Sequence, residues 1–184
     1  TSFFETSYGF YVRMTYENVF KAMMTTPIGV NEVVFGEFIW VGLKGAIMAF
    51  GVSLVLALFG MMENLYLLSI TPLVGILVAL PCGAIGLLST SYVRNINQFQ
   101  SVYSFLISPL FYLSGIFFPV DQMPQWLKIL NFFFPLHHGV LMSQAVFWDV
   151  NVITTLAYHG SILLLQSAIF CWFAHRRIVR MLRN

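Results

Sequence analysis

Residues 117–139 read FFPVDQMPQWLKILNFFFPLHHG, and this stretch decides how the chain must fold. It is half apolar, three prolines interrupt it, and it carries Asp121, Lys128 and the His137–His138 pair. A proline inside a helix removes a backbone donor and clashes with the preceding turn. The stretch therefore predicts two short helices around breaks, which dip into a membrane and return on the same side. Irregular backbone at membrane depth survives only where protein or water covers it, which indicates a segment that lines something.

The composition is that of an integral membrane protein with one membrane domain over residues 1–184. Hydrophobic residues make up 59% of the chain and charged residues 9%, against roughly 25% charged residues in soluble domains. The net charge of +2 is too small to indicate a nucleic-acid partner. Cys82 and Cys171 lie in apolar runs, which predicts buried thiols and no disulfide framework. Residues 1–12 are too short to span, so we expect them to end a span that begins upstream.

Four apolar runs predict full membrane-spanning helices, because each approaches or exceeds the ~20 residues that a span requires. The four spans are expected at 35–59, 66–92, 99–118 and 152–175. The re-entrant hairpin is expected at 119–148, and a basic tail at 176–184.

Prolines and aromatic residues set the expected shape of the hairpin. Pro119 is expected to end the third span, and Pro124 to begin the next helix at its first position. Trp126 suits the headgroup zone, where aromatic side chains are enriched. The two hairpin helices are predicted to join at a turn over 135–138, which contains Pro135 and His137.

The basic residues predict the orientation of the chain. With these spans, Lys128 lies on one side, and seven basic residues lie on the other: Arg13, Lys21, Arg94, Arg176, Arg177, Arg180 and Arg183. Because loops rich in Lys and Arg stay on the cytosolic side, we expect a cytosolic carboxyl tail, with Glu63 and Asp121 outside. A fifth span over 129–148 would move the four arginines of the tail outside, so the charge pattern also favours the re-entrant hairpin.

Residues 14–26 predict a short amphipathic helix between two spans, ended by Pro27 and Gly29. Its apolar side chains share one face, while a Glu–Lys pair at the favourable i, i+4 spacing lies off that face. The residues concerned are Tyr16, Phe20, Met23 and Met24 on the face, with Glu17 and Lys21 off it. Two interpretations stay open: a passive helix that lies on the headgroups, and a helix that docks a cytosolic partner.

Two charges inside the first full span need an explanation. Glu37 and Lys44 are seven residues apart, so they lie two turns apart on one helical face. Charged groups inside a span are costly and usually face the bundle interior or an aqueous path. Lys44 either reaches along the helix to the interface or lines a translocation path.

Small residues in the same span predict close helix packing. Gly42 and Ala46, and likewise Gly45 and Ala49, are spaced four apart, which is the small-xxx-small pattern of helices that approach closely in membranes.

Motifs for catalysis or metal binding do not emerge from the sequence. Adjacent histidines on a helix point about 100° apart, and no carboxylate or cysteine accompanies His137 and His138 at the spacing of a metal site. The last span carries His159 and Gln166 as polar members. No phosphate-binding Gly-rich loop is present, so energised transport would require nucleotide on another polypeptide. An intramembrane enzyme would need a nucleophile such as Ser143, but serines are ordinary in spans.

Taken together, these motifs resemble the membrane subunits of type-2 ATP-binding-cassette (ABC) exporters, in the branch that includes nodulation lipo-oligosaccharide and drug exporters. In that family a Gly-x-Phe-Phe-Pro-like span end precedes a short region that ends in Pro, an aromatic-rich helix and a Pro-Leu-x-His turn. The corresponding residues are Gly115–Pro119, Met123–Leu127 and Pro135–His138. A second match is the amphipathic helix followed by Thr26-Pro27 and Glu32-x-x-x-Gly36.

The resemblance implies an all-α polytopic membrane protein in which residues 14–26 form a coupling helix on a cytosolic ATPase. It implies two ATPase subunits, which carry the ATP and Mg, and a second permease half, identical or homologous; no cofactor is expected on this chain. It further implies outward movement of an amphipathic or lipid-linked substrate across a bacterial cytoplasmic membrane. The family commonly has an Arg near the position of Gln144, and its first span and most of its second are expected upstream of this sequence. The alternative from another class is a structural or assembly membrane protein that transports nothing.

Overall fold

The computed structural model describes residues 1–17, 19–23, 25, 27–62, 64–93, 95–117 and 123–183. Over these ranges the regular structure is entirely helical, which confirms the predicted all-α class. The helices are α1 (2–15), α2 (Val19–Met23), α3 (Val30–Leu58), α4 (Leu65–Thr90), α5 (98–113), α6 (Gln125–Phe132), α7 (Pro135–Phe147) and α8 (Val152–Arg183).

Three of the described helices are long and apolar enough to cross a membrane: α3, α4 and α8. The predicted third span at 99–118 is shorter than expected, because α5 ends at Leu113. Gly115 follows with a φ of +94°, a left-handed conformation that glycine adopts at little cost and that ends the helix. At 1.5 Å per residue, α5 is about 24 Å long, which is less than the ~30 Å of a hydrocarbon core.

Helix α4 is the centre of the bundle, and it contacts α1, α3, α7 and α8. It approaches α3 closely, since a Cβ added to Gly45 would lie 2.7 Å from the carbonyl oxygen of Gly75. A Cβ added to Gly75 would lie 2.6 Å from the Cβ of Ala49. The predicted small-residue packing is therefore found at Gly45 and Ala49, whereas Gly42 makes only ordinary contacts with α4.

The α6–α7 hairpin is built around two prolines. Pro124 directly precedes α6, and Pro135 is the first residue of α7. Phe134 is extended (φ −89°, ψ 122°), as expected for a residue before proline. The join therefore lies at 133–134 and not at the predicted 135–138, because Pro135 starts a helix instead of interrupting one. Pro119 lies outside the described residues, and the re-entrant placement of the hairpin in a membrane stays a prediction.

The carboxyl tail is a continuation of the last span. Helix α8 runs from Val152 to Arg183 without a break at the predicted boundary of 175. Its 32 residues give a length of about 48 Å, so the basic turns at its end extend well beyond a ~30 Å hydrocarbon core.

Candidate functional site: the connector end and the polar groups of the bundle

Three parts of the chain meet at one end of the bundle, which we call the connector end. The segment 16–29 joins α1 to α3 there, the turn after α4 lies there, and α8 finishes there. Phe20, Val34 and Ile178 belong to one buried cluster at this end. The guanidinium of Arg177 lies 4.5 Å from the centre of the Tyr92 ring, which fastens the end of α8 to the turn after α4.

The predicted coupling helix over 14–26 differs from the structure in its length. Helix α1 ends at Thr15, Tyr16 and Glu17 form a turn, and α2 covers only Val19–Met23. Met24 lies outside the described residues, and the placement of the Lys21 side chain is likewise not described. The amphipathic periodicity did not detect the turn, because a turn of two residues leaves side chains on either side of it at plausible helical spacing.

Phe20 corrects the predicted docking face. Its side chain is 3% exposed, and its ring centre lies 4.7 Å from that of Phe10 on α1. Phe20 therefore holds α2 against the bundle. Among the predicted docking residues, Tyr16 is 60% exposed and Met23 40% exposed, and Glu17 is exposed as well.

Two ion pairs join α1 to α3, the two helices that the segment 16–29 connects. Nη2 of Arg13 donates to Oε2 of Glu37 at 2.9 Å. The Lys44 ammonium pairs with the Glu5 carboxylate, whose other oxygen accepts a hydrogen bond from Nε1 of Trp40 at 3.2 Å. Glu37 and Lys44 thus share one face, as their spacing predicts, and that face meets α1. We call these two pairs the α1–α3 ladder.

A cavity of about 970 Å³ lies between the amino-terminal end of α1 and helices α3, α4, α5 and α7. Its walls are mainly apolar, with Ser143 and Gln144 of α7 among the few polar lining residues. Lys44 is not among the lining residues, so a role for Lys44 in a translocation path stays a prediction.

At the opposite end of the bundle, a buried polar cluster joins α6, α7 and α8. His138 is fully buried, with Nδ1 2.8 Å from Nδ1 of His159 and Nε2 2.8 Å from the carbonyl oxygen of Phe132. Nδ1 of His137 lies 3.3 Å from the carbonyl oxygen of Ser114. His137, predicted to lie in a turn, is thus inside α7 and buried, whereas Trp126 on α6 is 66% exposed.

The histidines do not form a metal site of the usual kind. Among the residues that the structure describes, no group of three or more His, Cys, Asp or Glu side chains is placed to hold a metal ion.

Sequence comparison identifies the family. The family model described as ABC-2 type transporter matches residues 1–148. Nodulation protein J of Rhizobium leguminosarum bv. trifolii is 28% identical over 159 residues, which cover 86% of this chain and 60% of that protein. Nodulation protein J of R. leguminosarum bv. viciae is 31% identical over 137 residues, 74% of this chain and 52% of that protein.

Further relatives extend the match along the chain. Nodulation protein J of Bradyrhizobium diazoefficiens is 24% identical over 182 residues, 96% of this chain and 68% of that protein. The chain thus spans from about half to just over two thirds of the length of these curated relatives. No solved structure matches the chain significantly. The match over 1–148, the apolar helices that can cross a membrane and the all-helical fold agree: the chain belongs to the ABC-2 type transporter family.

Proposed function

We propose that this chain is part of the membrane subunit of an ATP-driven exporter, and that its segment 16–23 contacts a cytosolic ATP-binding-cassette ATPase. The observation that carries the proposal is the family membership, together with the exposed side chains on that segment. ATP and Mg would be bound by the partner. Two ATPases and a second permease half, identical or homologous, would complete the assembly.

The contacts of the segment 16–29 would transmit a movement of the ATPase to the helix bundle. A push on Tyr16 or Met23 would reach α1 and α3 together, because the α1–α3 ladder ties the two helices on either side of the segment. Phe20 anchors α2 in the buried cluster at the connector end, so the push would not be lost in bending the segment. Coupled helices of this kind suit alternating access, in which one bundle rocks against another.

The proposed orientation follows from the described charges. Arg13 and the α8 residues Arg176, Arg177 and Arg180 lie at the connector end, and Lys128 of α6 lies near the other. The excess of basic residues favours a cytosolic connector end. Arg94, Glu63 and Asp121, which entered the sequence-based orientation, lie outside the described residues. We propose a bacterial cytoplasmic membrane as the location and an amphipathic or lipid-linked molecule as the exported substrate, in line with the family branch that the sequence resembles.

The docking role predicts an effect of shortening the exposed side chains. In the full-length protein, co-expressed with an ATP-binding-cassette ATPase of its own genome, Tyr16→Ala with Met23→Ala should lower retention of the ATPase at least about ten-fold. This corresponds to about 1.4 kcal/mol, a modest loss for two interface anchors. The amount of protein in the membrane should not change. Quantitative co-purification, followed by ATP hydrolysis, measures both.

Tyr66→Ala is the matched control, because Tyr66 is 85% exposed but lies at the opposite end of the bundle. Its ATPase retention should equal that of the unchanged protein. Undiminished retention in the double variant would refute the docking segment. If the unchanged protein retains no ATP-hydrolysing subunit at all, the result would favour the structural or assembly alternative. Phe20 is unsuitable for this test, because a charge there would be buried in the core and would impair folding instead.

A further inference from the structure

The histidine pair between α7 and α8, in which His138 is buried and His159 is half-buried, has no part in the proposed export mechanism. His138 is held at both ring nitrogens, by His159 of α8 and by the carbonyl oxygen of Phe132 at the end of α6. The pair therefore joins three helices at one point: both arms of the hairpin and the last span. The polar atoms concerned are 2.8 Å apart in both contacts, which is the length of a good hydrogen bond.

The positions of the protons follow from these contacts. A carbonyl oxygen can only accept, so Nε2 of His138 carries a hydrogen. In a neutral ring the other nitrogen is then bare, and Nδ1 of His138 accepts the hydrogen of Nδ1 of His159. One added proton is also accommodated: His138 then donates from Nδ1, and His159 carries its hydrogen on Nε2.

A second proton cannot be accommodated. With both rings charged, each Nδ1 carries a hydrogen, and two donors face each other at 2.8 Å. The two positive charges also repel each other. The hydrogen bond between the two rings therefore forms with no added proton or one added proton, and it is lost when two are added.

The helices around the pair offer no carboxylate to compensate a second charge. Helices α4 to α8 contain no Asp or Glu between their first and last residues. The other titratable rings at the pair are His137, 5.4 Å from His138 between ring centres, and Tyr158, 5.0 Å from His159. Helix α4 presents apolar side chains here, with Val78 against Gly139 and Leu77 against Gly160. The charged residue of α6 is Lys128, which is also positive.

We propose that His138 and His159 form a proton-operated latch, which fastens the α6–α7 hairpin to α8 and releases it when both rings are charged. The released state exposes the rings to solvent, where each would bind a proton with an ordinary histidine pKa of ~6.5. It therefore holds at least one proton more than the latched state at low pH. Between pH 7.5 and pH 5.0, one such proton raises the ratio of released to latched molecules about 30-fold.

Distance measurement between spin labels tests the latch without any reference to transport. Labels are placed at Ile129→Cys on α6 and Leu165→Cys on α8, which are 66% and 63% exposed. Cys82→Ala and Cys171→Ala remove the native thiols, and the full-length protein is held in lipid nanodiscs. At pH 7.5 we expect one narrow distance distribution, and at pH 5.0 an additional population at longer distance.

Variants assign the response to the pair. A glutamine amide can donate or accept but does not titrate, so His159→Gln should show the same distribution at both pH values. His138→Gln should lose the acid response as well. His175→Gln is the matched control, because His175 lies on the same helix α8 but packs near Phe35; it should respond like the unchanged protein. A distribution that does not depend on pH in the unchanged protein, or an undiminished acid response in His159→Gln and His138→Gln, would overturn the latch.

Discussion

Leucine in place of Gly75 is expected to prevent α3 and α4 from packing and to abolish accumulation of the folded protein. Even a single Cβ at this position would lie 2.6 Å from the Cβ of Ala49, far inside van der Waals contact, and it would also press on the Gly45 backbone. Backbone atoms cannot turn aside as a flexible side chain can. Overpacking typically costs about 1–3 kcal/mol, and we expect Gly75→Leu to exceed this range. Gly75→Ala should fall within it.

The control for this substitution is Gly51→Leu. Gly51 lies on α3, where a Cβ would meet nothing within 4 Å. The same increase in volume at position 51 should therefore leave the protein folded. Thermal unfolding in detergent, read by size-exclusion chromatography, distinguishes the two. Equal melting temperatures for Gly75→Leu and Gly51→Leu would mean that the close contact between α3 and α4 does not support the fold.

The glycine contact shows how far a sequence pattern predicts packing. The spacing of Gly45 and Ala49 predicts a face that can approach another helix, and the structure has that face in contact. The partner, Gly75 with Ala79, follows only from the axial register of two antiparallel helices. Register depends on the length of the connecting turn and on many side-chain contacts at once. Gly42 has the same spacing pattern but meets Ile76 and Leu80 at ordinary distances, so the pattern alone does not select the contact.

Hydrophobicity predicts the long spans well and α5 less well. Apolar runs of the required length correspond to α3, α4 and α8 within a few residues at most ends, although the run to Phe118 extends beyond the end of α5 at Leu113. The helix ends because the backbone of Gly115 is left-handed, and the hydrophobicity of a segment carries no information on such a backbone angle. For the same reason, periodicity groups Phe20 with Tyr16 and Met23 on one helical face, whereas the structure buries Phe20 against Phe10 and leaves Tyr16 and Met23 exposed.

For the polar side chains, the sequence does not predict which residues pair with each other. The sequence draws attention to His137 and His138, but the pairing partner of His138 is 21 residues away on another helix. The α1–α3 ladder, in contrast, was within reach of the sequence. Glu5 and Arg13 are eight residues apart, Glu37 and Lys44 are seven apart, and antiparallel helices bring opposite charges together in that order. The sequence predicts only the end of a span over 1–12, so it does not indicate that one helix carries both Glu5 and Arg13 alongside α3.

Replacing Lys44 with methionine is the second prediction with a large effect, and it should lower the free energy of unfolding by about 3 kcal/mol. Removing one member of a partly buried ion pair leaves the other uncompensated, and the usual cost in a buried site is about 3–5 kcal/mol. The Glu5 and Lys44 side chains are 25% and 29% exposed, which places the expected loss at the lower limit of that range. Arg180→Met removes an exposed cation at the end of α8 and should change stability by less than about 0.5 kcal/mol.

The partner substitution separates an ion pair from a translocation-path lysine. Glu5→Gln should cost less than Lys44→Met, because the unpaired lysine can extend its long side chain toward the interface, whereas the short glutamate cannot. Glu5→Gln combined with Lys44→Met should recover most of the stability, since no charge is left without a partner and the glutamine oxygen can still accept from Trp40. Reversible unfolding in mixed micelles measures all three variants, and a coupling of about 2–3 kcal/mol is expected from the double-mutant cycle. Additive losses would show that Lys44 acts independently of Glu5. If stability recovers in the double variant but transport by the full-length protein does not, Lys44 contributes to the translocation path in addition to holding α1 against α3.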